Sequence, residues 1–539
     1  MWGLWSLAGL PPSSNLGAKK TPRLEEGGSP ASDQRPHETL MRNLYFDGST
    51  TLLTDLYQLT MAYGYWKSGR AQTQANFQLF FRKQPFDGGF SVVCGIEPAL
   101  EWIENFGFDG SDLEYLGTLT GADDKALFEP KFLDYLGELK LTVNVDAMRE
   151  GTVCFAQEPL MRVQGGVLEC QLLETALLNI VNFQTLIATK SARICLAAGD
   201  DGVLEFGARR AQGIDGALSA SRAAFVGGCA ATSNVLAGKC FGIPTRGTHA
   251  HSWVMLFDSE LEAFETYAAN LPNNVVFLVD TYDTLEGTRH AVTVGKKLRQ
   301  HGHDLLGIRL DSGDLAYLSI EARKILDEGG FPDAKIYASN DLDEQTIASL
   351  KNQGARIGVW GVGTRLVTGN DQPALGGVYK LTAMRDSADE AWQPRIKLSE
   401  QTIKISNPGV LGVRRYYSEE DGVRQNMADA IYEEGQAPAL GAVIVDPLDA
   451  IRRRRVSAKL QHEELLLPAV RDGVRLEANA PLAEAQERAR KGLAAFDAGI
   501  KRFSNPHRYP AGLEVRLHEK KMAMVESARR QLMDAEEIL

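Results

Sequence analysis

Apolar and polar positions change rhythm twice along the chain, and each change marks a shift in architecture. Between residues 49 and 66, Leu56, Leu59, Tyr63 and Trp66 recur at helical spacing behind Thr54 and Asp55, both suitable N-cap residues. Strand-like runs follow at 76–81 and 90–94, then helices at 97–105, around 112–116 and at 131–136. From 141 to 167 the pattern is β, with pieces around Val153 and 160–163 flanking a Gln-Glu-Pro turn. Residues 169–198 form a long, largely apolar helical stretch, either one bent helix or two. Residues 41–195 therefore predict an N-terminal α/β domain with a mostly antiparallel sheet.

From about residue 200 short apolar runs alternate with helical segments. The runs lie at 203–206, 225–228, 241–244, 275–279, 305–310, 336–338 and 357–360. Strands in series separated by helices imply right-handed βα units and a parallel sheet. Seven in a row favour a barrel, so the chain is α/β with an irregular TIM-like βα barrel core at 196–385. The pattern stops after Gly377-Val378-Tyr379-Lys380-Leu381, and 386–539 reads as a C-terminal α/β extension packing on the N-terminal domain. It mixes short strands and charged turns with helices from Pro481, the last of them amphipathic over 514–539.

Composition narrows the class. The 539 residues carry 58 basic and 70 acidic side chains, a net charge of −12, which argues against sequence-independent nucleic-acid binding. The run Arg452–Arg455 reads as a solvated or phosphate-facing edge. No apolar run reaches the roughly 18 residues of a membrane span. The six cysteines show no CxxC pairing and sit mostly in apolar contexts, which predicts reduced, buried thiols in a cytoplasmic protein. Residues 1–40 are rich in Pro, Ser, Gly and charge and read as a disordered extension, without the basic start or cleavage pattern of a signal peptide.

The polar residues that end the apolar runs carry the candidate chemistry. They are Gly207-Ala208-Arg209, Thr232-Ser233-Asn234, Thr248-His249-Ala250-His251, Asp280-Thr281-Tyr282-Asp283, Arg309 through Asp314, Ser339-Asn340-Asp341 and Gly361 through Arg365. In a βα barrel these ends converge on one face, where the active site sits. Helix capping explains several Ser, Asn and Asp residues, but not arginines, histidines and glycine turns arriving together. Spacing alone leaves His249 and His251 open as base, metal ligand or nucleophile. The chain lacks the phosphate-binding G-x-x-x-x-G-K-[ST] loop, a third glycine for a dinucleotide fingerprint, and any Cys/His metal spacing. The segment 276–280 lacks the second acid and glycine turn of type I phosphoribosyltransferases.

Seven motifs in order, Thr54-Asp55-Leu56-Tyr57-Gln58, Glu205 through Arg210, Gly247 through Ser252, Asp280 through Asp283, Arg309 through Asp314, Gly361 through Arg365 and Gly377 through Leu381, resemble nicotinate phosphoribosyltransferase, a type II phosphoribosyltransferase. The resemblance runs from about residue 42 to beyond 500. It implies synthesis of nicotinate mononucleotide and pyrophosphate from nicotinate and 5-phosphoribosyl 1-pyrophosphate, the first step of NAD formation from nicotinate (Preiss-Handler salvage). It also implies an ATP-dependent enzyme of the ligase class, with ATP hydrolysis coupled through a phosphohistidine at His251. His249 occupies a variable position and receives no role.

The same resemblance distributes the remaining roles. Phe206 and Tyr57 would sandwich the pyridine ring, Tyr57 coming from the second subunit of a homodimer with shared sites. Arg309, Arg209 and Thr248 would take the negative groups. Asp311, Asn340 and Asp341 would hold ribose hydroxyls or organise Mg²⁺ water, and Gly363 and Thr364 would bind the 5-phosphate. Asp283 is the expected orienter of His251, and the ligands of the metal are left unassigned. Ser233, where the related nicotinamide enzyme carries an aspartate, suits an acid substrate; a nicotinamide- or quinolinate-specific relative is the alternative.

Overall fold

The computed structural model describes residues 49–536, apart from Leu440 and Asn479. The extension expected over 1–40 lies outside the described residues. Among them, no helix is long and apolar enough to cross a membrane. All six cysteines are free thiols, and every one except half-buried Cys195 is buried.

The N-terminal sheet is antiparallel, as expected, but it recruits strands from the whole chain. Its order is Gln393–Pro394, Gly377–Arg385, Gln74–Phe81, Met161–Gly166, Asn144–Ala147, Leu467–Arg471 and Val474–Arg475. Gly377–Arg385, in the segment read as barrel, pairs along its length with Gln74–Phe81. Of the two alternatives for the long helical stretch, the structure takes two helices, Val167–Leu172 and Glu174–Ala198. The second carries buried Thr185 and Thr189, whose hydroxyls serve backbone groups at Cys94 and Val92. It packs on the Gly377–Arg385 strand and on the Gly202–Glu205 strand, so one helix joins antiparallel sheet to barrel.

The barrel core is a parallel sheet ordered Ala231–Thr232, Gly202–Glu205, Val359–Val362, Lys335–Ala338, Gly307–Leu310 and Val276–Leu278. Two expected strands are corrected. The apolar run at 225–228 is largely the end of the Gly213–Val226 helix, and the run at 241–244 follows the Val235–Phe241 helix. Short apolar runs fit a buried helix end as well as a strand, which is why periodicity misplaced them. The strand in question is two residues long, Ala231–Thr232, and the next extended piece forms a single parallel bridge, Thr232 to Thr245. The sheet is therefore an irregular barrel, not a closed ladder.

A third sheet holds Arg453–Arg455, Val443–Val445, Ala511–Glu514, Val423–Glu433, Leu411–Glu420 and Gln461–Glu464. Arg453–Arg455 is its exposed edge, matching the solvated reading of the arginine run. Fully buried Arg415 and Asp429 pair across this sheet (2.5 Å), and Arg415 also donates to the Val153 carbonyl (2.8 Å), tying it to the first segment. Burying two charges is costly unless every polar atom finds a partner. Here Tyr509 supplies a further donor to Asp429 at 2.9 Å.

Candidate active site

Strand alternation decides which residues face the barrel interior. Val203 and Glu205 point outward, whereas Leu204 packs with Ala231 and Val359, against which Phe206 and Tyr337 also lie. Glu205 fixes this alternation: its buried carboxylate accepts from Ser221 Oγ (2.8 Å), Thr232 Oγ1 (2.6 Å) and Gly207 N–H. Phe206 thus enters the mouth with its ring against Gly361. A Cβ there would stand 2.7 Å from Phe206 Cδ2, so only glycine leaves room for the ring.

Opposite that ring, the Arg309 guanidinium carbon lies 5.7 Å from the Phe206 centroid, within cation–π range. Its plane is locked by three bonds, Nε to Ser339 Oγ (2.8 Å), Nη1 to Thr248 Oγ1 (3.0 Å) and Nη2 to Asp311 Oδ1 (2.9 Å). These leave one N–H on each terminal nitrogen for a ligand. Burial pushes the Asp311 carboxyl up, but the Ser339 hydrogen bond and the Arg309 charge outweigh it and hold it below its ordinary value.

His251 opens the short His251–Met255 helix and is 38% exposed. Its Nδ1 sits 3.0 Å from Thr281 Oγ1. Among the described residues its Nε2 makes no hydrogen bond but faces two carboxylates, Asp280 Oδ1 at 3.9 Å and Asp311 Oδ2 at 4.0 Å. The Asp280 side chain is 2% exposed. Its Oδ2 accepts from Asp311 N–H (2.9 Å) and Ser312 Oγ (2.7 Å), while Oδ1 is buried without a partner among the described residues.

Asp283 does not reach His251. It is the N-cap of the Thr284–Gln300 helix, where Oδ1 accepts from Glu286 N–H at 2.8 Å. The motif advertised this cap, since Asp283-Thr284-Leu285-Glu286 has the capping-box spacing. Asp280, Thr281 and Ser339 lie in the candidate strand ends, but no role is assigned to them from the sequence. Counting by twos from inward-facing Leu278 would have put Asp280 on the interior face.

The remaining expected residues divide by distance from this center. Thr248 belongs to the Arg309 cluster and donates its own proton to His249 O (3.2 Å). Gly363 precedes the one-turn Thr364–Val367 helix, and its would-be Cβ lies 3.1 Å from Phe206 O, so both residues rim the mouth. Asn340 stands exposed at the next strand end with φ of 123°, a conformation unusual for a residue with a side chain, and its Oδ1 accepts from Asp341 N–H (2.8 Å). Ser233 follows the Phe206 strand's neighbor through its N–H to Glu205 O (2.9 Å). Arg209 is exposed in the Ala208–Arg210 turn. Tyr57 makes no ring contact with Phe206 among the described residues. It is 48% exposed on the Leu56–Lys67 helix, its phenol pushed up by burial and by the charges of Glu174 and Asp55.

Fold and mouth together define an α/β enzyme whose site, on the C-terminal ends of parallel strands, sets an aromatic ring and a directed arginine beside a histidine and two carboxylates. The nicotinate phosphoribosyltransferase (NAPRTase) N-terminal domain matches residues 52–182, the family's central region 202–404 and its C-terminal domain 412–521. The chain belongs to the nicotinate phosphoribosyltransferase family. It is 43% identical over 487 residues to nicotinate phosphoribosyltransferase of Bacillus subtilis (strain 168), covering 90% of this chain and 96% of the relative. The Dictyostelium discoideum nicotinate phosphoribosyltransferase is 43% identical over 419 residues, 69% of each chain. Among solved structures, human nicotinic acid phosphoribosyltransferase superposes with a TM-score of 0.75 at 31% identity, over 87% of this chain and 99% of that one.

Proposed function

We propose that the chain converts nicotinate and 5-phosphoribosyl 1-pyrophosphate to nicotinate mononucleotide and pyrophosphate, with ATP hydrolysis coupled through phosphorylation of His251. Similarity to relatives that carry this name supports the reaction. The observation that carries the substrate class is the Arg309 guanidinium, locked opposite the Phe206 ring with a spare N–H on each terminal nitrogen. A flat aromatic acid needs that combination of ring face and directed cation. The pyridine nitrogen attacks the anomeric carbon as its bond to pyrophosphate breaks. Asp311, Asn340 and Asp341 would hold ribose hydroxyls, and Gly363 and Thr364 the 5-phosphate. Arg209 and Thr248 would meet further negative oxygens.

For the ATP half-reaction, the hydroxyl of Thr281 holds Nδ1 of His251 and leaves the Nε2 lone pair free. An Nε2–phosphorus bond would form as the γ-phosphorus–oxygen bond breaks and ADP leaves, with water later cleaving the phosphohistidine. Positive charge grows on the ring in that step, and Asp280 and Asp311 stand close enough to stabilise it. Thr281 therefore takes the orienting role first given to Asp283, and Asp280 an electrostatic one.

Mg²⁺ suits this mouth. No group of three or more His, Cys, Asp or Glu side chains among the described residues could hold a metal alone. Magnesium usually takes only one or two carboxylates and completes its shell with water and phosphate. Asp280, with its unpartnered Oδ1, and Asp311 would hold it. When bound it supplies charge neutralisation for the pyrophosphate. Tyr57 would close the ring pocket from a second copy of the chain, in a homodimer with shared sites. Pyrophosphate release should occur with nicotinate and rise with ATP; release with nicotinamide or quinolinate but not nicotinate would overturn the substrate.

A further inference from the structure

The barrel ladder has one seam. On one side, Thr232 donates to Pro244 O and accepts from Arg246 N–H, both at 3.0 Å, which places residues 244–246 beside the Ala231–Thr232 strand. On the other side, Val276–Leu278 pairs with Gly307–Leu310. Among the described residues no backbone ladder joins these two edges. A side chain reaches across to the strand backbone: Leu278 N–H donates to Nε2 of His249 at 3.2 Å, while Thr248–Arg309 and His251–Thr281 join side chain to side chain nearer the mouth. An imidazole nitrogen stands where the rest of the sheet uses a carbonyl oxygen.

The ring is built into that position. His249 is 8% exposed, with Tyr267 edge-on at 5.0 Å and Phe264 and Phe277 at 6.1 and 6.3 Å. An accepting Nε2 requires the ring proton on Nδ1, which lies 3.3 Å from Ala250 O. Burial, with the nearby charges of Arg309 and His251, pushes its pKa down to about 4, so the lone pair stays available at neutral pH.

Both partners lie two residues short of the reacting groups: Leu278 precedes Asp280, and His249 precedes His251. We propose that His249 is a positioning residue whose neutral ring closes the barrel seam and thereby sets His251 against Thr281 and Asp280. The role rests on the phosphohistidine reading of His251. Without the rung, no bond to the strand backbone spans the seam, only the side-chain pairs Thr248–Arg309 and His251–Thr281 remain, and the gap between His251 Nε2 and the carboxylates can widen.

The test compares His249→Leu and His249→Phe, which lack the acceptor, with His249→Gln, whose amide oxygen can reach the same N–H. Hydrogen exchange at Leu278 is measured together with ATP-dependent, acid-labile labelling and the KM for each substrate. Leu and Phe should each lose about 100-fold in Leu278 protection, as expected for an opened buried bond. Labelling should slow by about tenfold or more, equivalent to one decade of barrier, while the KM values for all three substrates hold and Gln restores most of the rate. Unchanged Leu278 protection and labelling in Leu and Phe, or a Gln variant as slow as they are, overturns the proposal. Wild-type protein that never labels overturns the phosphohistidine reading and the positioning role with it, a failure separable from the seam because Leu278 exchange is read without ATP.

Discussion

At His251 one ring nitrogen is held and the other left open, and this asymmetry separates the two neighboring aspartates. Asp280 faces the open nitrogen, whereas Asp283 faces a helix N-terminus. Asp280→Asn should therefore slow acid-labile labelling of His251 by about tenfold or more, the effect of losing one nearby charge worth a decade of barrier. Asp283→Ala should leave labelling intact and cost about 1 kcal/mol of stability, the usual value of an N-cap. Equal loss of labelling in both variants would contradict this division. His249 makes a second residue-scale prediction. Its folded pKa of about 4 lies below the ordinary 6.5, so above pH 6.5 both folded and unfolded states are neutral and the stability is fully present. As pH falls from 6.5 toward 4 the unfolded chain takes the proton first, and stability falls by up to about 3 kcal/mol. Thermal unfolding across this range should show the loss, and His249→Gln should flatten it.

Among the elements, strand pairing turns single glycines into parts of the site. The Val359–Val362 strand presents Gly361 inward beside Phe206, and a Cβ there would sit 2.7 Å from the ring. Gly361→Ala should push Phe206 off its seat and raise the KM for nicotinate by about tenfold, in line with roughly 1–1.5 kcal/mol for a displaced aromatic contact. The KM for phosphoribosyl pyrophosphate should change much less. Steady-state kinetics on both substrates would check this, and equal rises in the two would refute a ring-specific effect. Element periodicity was legible in the sequence for the long segments and for five of the seven barrel runs. It failed at 225–228 and 241–244, because a short apolar run at a helix end has the same signature as a strand.

For the whole molecule, the decisive feature is that its sheets are assembled from distant segments. Gly377–Arg385, Leu467–Arg471 and Gln74–Phe81 share one sheet, and Arg415 bonds both Asp429 and the Val153 carbonyl. The pocket depends on assembly at a further level if Tyr57 belongs to the partner's site. Tyr57→Ala and His251→Ala are each expected to be inactive alone. After mixing and subunit exchange, random pairing would rebuild one complete site in half the dimers, giving about a quarter of wild-type activity. No recovery under conditions that exchange subunits would mean that Tyr57 serves its own chain.

By itself the sequence determined the α/β class, the parallel run of βα units, and the set of strand ends that carry Phe206, Arg309, Asp311 and His251. Those follow from local periodicity and from residue types that caps and cores do not require. The tertiary structure decided which side chains meet. It put Asp280 and not Asp283 beside His251, brought Thr281 and Ser339 into the cluster, and gave His249 a backbone partner at Leu278. These outcomes depend on register between strands about 30 residues apart, where a shift of one residue reverses every side chain. Local pattern carries no information on that register; packing and the hydrogen-bond ladder set it.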